Sequence, residues 1–284
     1  MKSRKRAASF YRLCAIKLIA LFLIAPVCFA CRTTAQEQPS LEVTYIANEG
    51  MLISSGEKSV LIDSLYREGV SGYELVPKAE LEKLETAQPP FDKVNLILVS
   101  HPHRDHFDPQ STGRHLENNP QAVLASSQQV VEALEKEFPN YQQVKSRIRQ
   151  VMPQGSEVIR LSFDRIDVAF FRLRHGHQRN YGMHNLGHII KIGGKKLLHI
   201  GDAETTIENF AKFNLKNEEI DIALMPFWYL IDGAGRTIVD EHIKPRHIVA
   251  LHIPPQESGK WARQIKEFYP DAMICARPLE KRKY

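Results

Sequence analysis

The chain has 284 residues, of which 43% are hydrophobic and 25% charged, which is ordinary for a globular protein and long enough for one large α/β domain or two small ones. The formal net charge is +5, but six of the positive side chains and none of the negative ones lie in residues 1–30. The remainder carries 32 basic and 33 acidic residues. That balance excludes a nucleic-acid-binding function based on charge.

Residues 1–30 have the pattern of a signal peptide. A basic start precedes a thirteen-residue apolar stretch, Leu18 to Ala30, which is too short to span a membrane as a helix. The residues around Cys31 resemble a bacterial lipoprotein processing site, which predicts a lipidated Cys31. Cleavage after Ala30 or Ala35, or an uncleaved anchor, stays open. We therefore expect an exported protein, periplasmic or attached to the membrane, with a tether over residues 31–40 and one domain over 41–284.

The domain is predicted to begin with an antiparallel meander. Apolar residues alternate over residues 41–46, 51–53 and 60–62, and turn residues separate these runs. Residues 65–91 lose the alternation and predict a surface insertion with a short helix over 78–85.

The next strand ends in a concentrated set of metal-binding residues. Val94 to Val99 predicts a buried parallel strand, and the hexapeptide His101-Pro102-His103-Arg104-Asp105-His106 follows it. Because a sharp turn at a strand end presents side chains to two adjacent positions, His101 and His103 are expected on one side and Asp105 and His106 on the other. Imidazole and carboxylate ligands suit zinc, iron or manganese.

The rest of the chain alternates strands and helices without a linker. Strands are predicted over residues 122–125, 157–161, 166–173, 186–192, 196–200, 220–225 and 248–253, and helices from residue 127 and over 205–213, 237–243 and 259–268. A single α/β domain of two halves, with two sheets packed between helical layers, accounts for this order.

Further candidate ligands follow later apolar runs, where open α/β sheets collect their functional residues. His175 follows the run 168–174, Asp202 follows 197–201, and His252 follows 248–251. His177 is an alternative to His175, because both point to the same side of an extended run.

This set of residues resembles the metal-binding motif of the metallo-β-lactamase superfamily over roughly residues 41–275. Flanking runs are similar to the branch that holds L-ascorbate-6-phosphate lactonase and N-acyl-phosphatidylethanolamine phospholipase D. The resemblance implies an αββα sandwich with two divalent metal ions, zinc first and manganese or iron as alternatives. It assigns His101, His103 and His175 to the first ion, Asp105, His106 and His252 to the second, and Asp202 to both.

Two close divalent cations can lower the pKa of a shared water from about 15.7 towards roughly 7. Asp105 or Asp202 could then orient this nucleophile or accept its proton. We therefore expect a metal-dependent hydrolase, in which a metal-bound hydroxide cleaves an ester, lactone or phosphodiester bond of a small molecule or lipid. The alternatives are a periplasmic β-lactam hydrolase and a metal-binding or redox protein without hydrolytic turnover.

Several residues near these strand ends have open interpretations. The aromatic segment 226–230 could line a substrate pocket or plug the core. Arg172, Arg174 and Arg179 could hold a substrate anion or be solvated at the surface. His199 could support the metal ligands or be a core residue, whereas His188 is expected to be structural.

Overall fold

Two seven-stranded sheets organise residues 40–284, the part of the chain that the structure, a computed structural model, describes. The elements of the first half are β1 (Leu41–Ala47), β2 (Gly50–Ser55), β3 (Lys58–Ile62), α1 (Lys78–Glu85), β4 (Val94–Val99), α2 (Pro109–Asn118), β5 (Val123–Ser126), α3 (Gln128–Glu137), α4 (Tyr141–Val144) and β6 (Ile148–Gln150). Those of the second half are β7 (Val158–Phe163), β8 (Ile166–Leu173), β9 (Asn185–Ile192), β10 (Lys195–His199), α5 (Ile207–Ala211), β11 (Ile222–Pro226), α6 (Trp228–Ile231), α7 (Gly233–Thr237), β12 (His247–Leu251), α8 (Ser258–Phe268), β13 (Met273–Ile274) and β14 (Lys281–Lys283).

The two sheets repeat one arrangement. The first has the order β14-β1-β2-β3-β4-β5-β6, and the second β13-β12-β11-β10-β9-β8-β7. In each sheet an antiparallel half leads into four parallel strands, β3 to β6 and β10 to β13. The C-terminal strand β14 pairs antiparallel with β1, so the chain closes its first sheet with its last residues.

Three buried clusters show the layers. One lies between the sheets and takes alternate residues from both, such as Val43 and Ile62 from the first and Phe170 and Leu224 from the second. The other two pack helices against the outer sheet faces. The strands β4 and β11 each contribute residues to the inner cluster and to one outer cluster. Both strands are therefore buried on both faces. The order helix, sheet, sheet, helix confirms the predicted αββα sandwich.

Most predicted elements are confirmed, and the exceptions have physical reasons. The helix over residues 78–85 forms as expected, but the apolar residues Tyr66, Val76 and Phe91 of the predicted surface insertion are buried. They cover the outer face of the first sheet with Leu84, so the prediction of a purely surface segment was wrong. Residues Ile238–Ile243 form a π-helical turn that continues from α7.

The predictions for the N-terminus are not tested. The signal peptide, Cys31 and the tether up to residue 39 lie outside the described residues. Within residues 40–284, no helix has both the length and the hydropathy that crossing a bilayer requires.

His115 on α2 gives the fold a measurable pH dependence. Burial lowers the pKa of this histidine from its ordinary 6.5 to about 4, although its Nδ1 group donates to the carbonyl oxygen of Leu84. Its lowered pKa means that its contribution to stability is complete above pH 6.5 and is lost as the pH falls towards 4. That contribution amounts to about 3 kcal/mol.

We expect the variant His115→Gln to lack this pH-dependent contribution to the free energy of unfolding. In urea titrations at several pH values, the free energy of unfolding of the wild type should exceed that of the variant most above pH 6.5. The difference should shrink as the pH falls towards 4. A difference that stays constant over this range would contradict the assignment.

Candidate metal centre

The candidate ligands meet where strand ends of the two sheets face each other. His101 follows β4, His175 follows β8, Asp202 follows β10, and His252 follows β12. Since the carboxyl ends of parallel strands share one edge of a sheet, residues far apart in sequence become neighbours there. The structure brings together all seven residues that the sequence singled out: His101, His103, Asp105, His106, His175, Asp202 and His252.

The first group of candidate ligands consists of three imidazoles and one carboxylate. His101 Nε2 lies 2.9 Å from His103 Nδ1 and 3.3 Å from His175 Nε2. Asp202 Oδ2 lies 3.9 Å from His101 Nε2 and 3.7 Å from His175 Nε2. Ligands about 2.0–2.2 Å from a tetrahedral ion are themselves roughly 3.3 Å apart. The spacing of this group therefore suits a divalent cation.

The second group contains Asp105, His106 and His252. Asp105 Oδ2 lies 3.8 Å from the Nε2 atoms of both His106 and His252. The side-chain amide of Asn48 donates to this same carboxylate oxygen over 3.2 Å, so the orientation of Asp105 is held from the turn after β1.

Asp202 connects the two groups. Its Oδ2 atom faces the first group, and its Oδ1 atom lies 3.6 Å from His106 Nε2 and 3.4 Å from His252 Nε2. One carboxylate thus presents one oxygen to each group.

The hydrogen-bonding state of these atoms tests whether the residues fit a metal. His106 Nε2, His252 Nε2 and Asp202 Oδ1 are buried and have no hydrogen-bond partner. Buried polar atoms almost always have one. Both of these imidazole nitrogens lie within 3.6 Å of Asp202 Oδ1. Unpaired nitrogen and carboxylate donors that converge in this way are the donor set a divalent cation needs.

The local electrostatics favour the same conclusion for His101, His103 and Asp202. Burial lowers the pKa of His101 well below its ordinary value, and it also lowers the pKa of His103. Burial opposes the charged form of Asp202 as well, but the neighbouring His106 and His252 outweigh it and hold the pKa of Asp202 well below its usual range. Neutral imidazoles and an ionised carboxylate are the forms in which these side chains bind metals. His106 differs, because its burial is outweighed by Asp202 and Asp63, which raise its pKa well above the ordinary value, so this imidazole would lose a proton on binding a metal ion.

Asp63, which follows β3, holds ligands of both groups. Its Oδ2 atom accepts from His106 Nδ1 over 2.8 Å, and its Oδ1 atom accepts from the backbone N–H of Ser100 over 2.7 Å. The Ser100 hydroxyl donates to Asp63 and lies 2.9 Å from His101 Nδ1. Fixing Nδ1 in this way turns Nε2 of each ring towards the ion position. The sequence analysis did not single out Asp63 for this role.

Two backbone positions at the site require an unusual conformation. Gly201 has φ +52°, and a Cβ atom there would lie 2.4 Å from Asn185 Oδ1 and 2.8 Å from Ser100 Cβ. Only glycine therefore lets the chain turn into Asp202. His252 has φ 58°, which is uncommon for a non-glycine residue, and its N–H donates to the carbonyl oxygen of Asn48 over 3.0 Å.

The structure distinguishes His175 from His177. A β-bridge pairs His175 with Ala203, and the N–H of Gly176 donates to the carbonyl oxygen of Asp202 over 2.8 Å. This pairing brings His175 into the first group. His177 is exposed and lines the rim of the cavity, and the candidate ligand groups found among the described residues do not include it.

An open cavity of about 910 Å³ lies above the two groups. Tyr73 contacts the ring of His252 edge-on, with 4.4 Å between ring centroids, and Trp228 does so at 5.1 Å. Val70 extends this apolar wall. Arg104, Arg179 and Asn180 supply polar groups elsewhere in the lining.

The structure places the aromatic segment 226–230 and the three arginines in different surroundings. In the aromatic segment, Trp228 lines the cavity, whereas Tyr229 is a buried plug that donates to the carbonyl oxygen of Ala203. Among the arginines, Arg179 lines the cavity and Arg174 pairs with Glu204. Arg172 lines a separate groove with Lys212.

Comparison with known proteins identifies the family. The model of the beta-lactamase superfamily domain matches residues 60–273. The chain belongs to the metallo-β-lactamase superfamily. The comparisons do not distinguish the lactonase and phospholipase branch within it.

Curated relatives and solved structures agree with this placement. The chain is 25% identical to a UPF0173 metal-dependent hydrolase of Symbiobacterium thermophilum, over 84% of this chain and 98% of that protein. It is also 25% identical to a UPF0173 metal-dependent hydrolase of Pyrococcus furiosus, over 75% of this chain and 84% of that protein. The metallo-β-lactamase fold protein YhfI of Bacillus subtilis superposes with a TM-score of 0.60 at 16% identity, over 87% of this chain and all of that chain.

Proposed function

We propose that this protein is a metal-dependent hydrolase that cleaves an ester, lactone or phosphodiester bond of a small molecule or lipid. The observation that carries the proposal is the Asp202 carboxylate, which presents one oxygen to each of two ligand groups on the floor of an open cavity. The description of the curated relatives as metal-dependent hydrolases supports the same reaction class.

We propose two divalent ions, with zinc first and manganese or iron as alternatives, because five imidazoles and two carboxylates form the donor set. The ligands would be His101, His103 and His175 for one ion, Asp105, His106 and His252 for the other, and Asp202 for both. Such ions, when bound, lower the pKa of a water nucleophile and stabilise negative charge that develops on a carbonyl or phosphoryl oxygen.

The carboxylates of the chain supply the proton chemistry. Asp105 and Asp202 both line the cavity, so each can orient a water molecule and accept its proton. Asn48 restrains Asp105, and the bridge between the loops of His175 and Asp202 restrains Asp202. Positioning of this kind removes part of the entropic cost of reaching the reactive geometry.

The cavity wall favours a substrate with an aromatic or aliphatic group. Tyr73, Trp228 and Val70 form that wall next to His252, so the apolar group would lie beside the second ligand group. Arg179 on the rim can meet an anionic group. The proposal also includes membership in the branch of L-ascorbate-6-phosphate lactonase and N-acyl-phosphatidylethanolamine phospholipase D. It further includes an exported location and membrane attachment through a lipidated Cys31.

The metal-free protein should take up two equivalents of zinc, and His252→Ala should take up one, because His252 belongs only to the second group. Elemental analysis after gel filtration would measure this. His247→Ala, at the opposite end of the same strand, is the matched control and should retain two. One equivalent in the wild type, or two in His252→Ala, would contradict the assignment of the groups.

The metal-loaded protein should hydrolyse at least one member of a panel of lactones, phosphodiesters, thioesters and cephalosporins. Asp202→Asn should reduce kcat by about 10²-fold or more, the scale for removing one electrostatic group that stabilises a transition state. His247→Ala should leave kcat unchanged. Full activity after exhaustive chelation would refute the proposal, whereas hydrolysis of cephalosporins alone would favour the β-lactam alternative.

Trp228→Ala should raise KM for substrates with an apolar group by about 10-fold or more and change kcat less, because the wall contributes binding to the ground state and the transition state alike. Steady-state kinetics at constant zinc content would show this. The chain's other tryptophan, Trp261, does not line the cavity, so Trp261→Ala is the control. Equal effects of the two variants on KM would remove Trp228 from the substrate wall.

A further inference from the structure

A second buried acid–imidazole pair lies directly behind the candidate metal ligands. Glu49, in the turn between β1 and β2, and His199, the last residue of β10, both have 0% of their surface exposed. His199 Nε2 lies 3.2 Å from Glu49 Oε2. Neither residue lines the cavity, so neither can touch a substrate there.

This pair is adjacent to the contact that orients His106. Glu49 Oε2 lies 3.8 Å from His106 Nδ1, and His199 Nε2 lies 3.8 Å from Asp63 Oδ2. Asp63 and His106 are themselves joined over 2.8 Å. The four side chains therefore form a closed ring in which carboxylates and imidazoles alternate. Each carboxylate faces both imidazoles, and each imidazole faces both carboxylates.

Burial of Glu49 is costly for the fold. Its Oε1 atom has no hydrogen-bond partner, and His199 Nδ1 has none either. A buried carboxylate with a single partner usually stabilises a protein less than an apolar side chain of similar size. The geometry around His106 offers a reason for an acid here, since an imidazole that binds a metal through Nε2 holds it better when Nδ1–H faces negative charge.

We infer that Glu49 and His199 are positioning residues for the second metal ion, a role that rests on the proposed metal centre. Glu49 adds a second negative charge beside His106 Nδ1, and His199 lies between Glu49 and Asp63 and keeps the two carboxylates apart. Among the described residues, the ion-pair contacts of Glu49 and His199 within 4.0 Å are with each other, with His106 and with Asp63. Glu49 contacts His106 directly, whereas Asp63, which His199 contacts, also orients His101 through Ser100. The effect of Glu49 is therefore directed to the ion held by Asp105, His106 and His252.

The test compares the zinc affinities of the two positions in Glu49→Gln. Glutamine keeps an oxygen that can accept from His199 but removes the charge. Competition titrations of metal-free protein with a chromophoric chelator should show the second affinity reduced by about 10- to 100-fold, the range typical of residues that orient metal ligands. The first affinity should change by less than about threefold on the same reasoning. His199→Phe keeps a ring to stack on His188 but removes the donor, and it should act in the same direction.

Glu85→Gln is the matched control. Glu85 is also a buried glutamate paired with cations, Arg67 and Arg114, but it lies on α1 outside the cavity lining. This variant should leave both zinc affinities unchanged. Absorption spectra of the cobalt-loaded proteins give an independent readout, since Glu49→Gln should alter the bands of the second ion and retain those of the first.

Each outcome decides between positioning and structure. Equal weakening of both positions, or no change at either, would overturn the inference. If circular dichroism shows that Glu49→Gln does not fold, His199→Phe provides the measurement. If neither variant folds, the pair is a requirement of folding and the inference is wrong. A wild type that binds fewer than two ions would instead refute the proposed metal centre.

Discussion

The carboxylate of Asp63 is the contact on which the two ligand groups jointly depend. It holds His106 directly and His101 through Ser100, so one side chain sets the direction of an imidazole in each group. Its position follows from the sheet, because the N–H of Asp63 donates to the carbonyl oxygen of Leu98 across β3 and β4. The pairing of two buried parallel strands therefore positions Asp63, and Asp63 aligns the two imidazole rings.

The sandwich supplies the remaining alignment through its symmetry. Each half of the chain ends its parallel strands at the same edge, so β3 and β4 face β10 and β12 across the inner core. Ligands from the two halves converge only while the sheets stay packed. This convergence requires uncommon backbone conformations at Gly201 and His252. At His252, the hydrogen bond from its N–H to the carbonyl oxygen of Asn48 holds that conformation in place.

Much of the fold could be predicted because burial leaves a clear pattern. The strands β1 to β4 and β8 to β12 have the apolar runs or alternation that the sequence rules detect. Helix α2 escaped because Leu116 is its only large apolar residue. Its signal was instead the Asp108-Pro109 start, where the Asp108 side chain accepts from the N–H of Ser111. Strand β14 reads Lys-Arg-Lys and forms only because β1 offers a free edge.

The prediction of the site shows a similar division. A search for His or Asp after apolar runs located His175, Asp202 and His252, and the same rule applied to β3 would have found Asp63. Glu49 could not be found in this way, because Asn48-Glu49-Gly50 has the composition of an ordinary turn. Its surroundings come from β10, 150 residues away in sequence, and only the packed sandwich brings them together.

The placement of Tyr73 shows that part of the cavity wall and the candidate metal ligands lie on different kinds of structural element. The metal ligands stand at the ends of buried strands, whereas Tyr73 and Val70 lie in the loop between β3 and α1, which Tyr66 holds through a hydrogen bond to the carbonyl oxygen of Glu74. Loops tolerate substitution better than strand ends that carry packing and pairing. Over evolutionary time, residues of this loop can therefore change the shape offered to a substrate while the reaction chemistry below it is inherited intact.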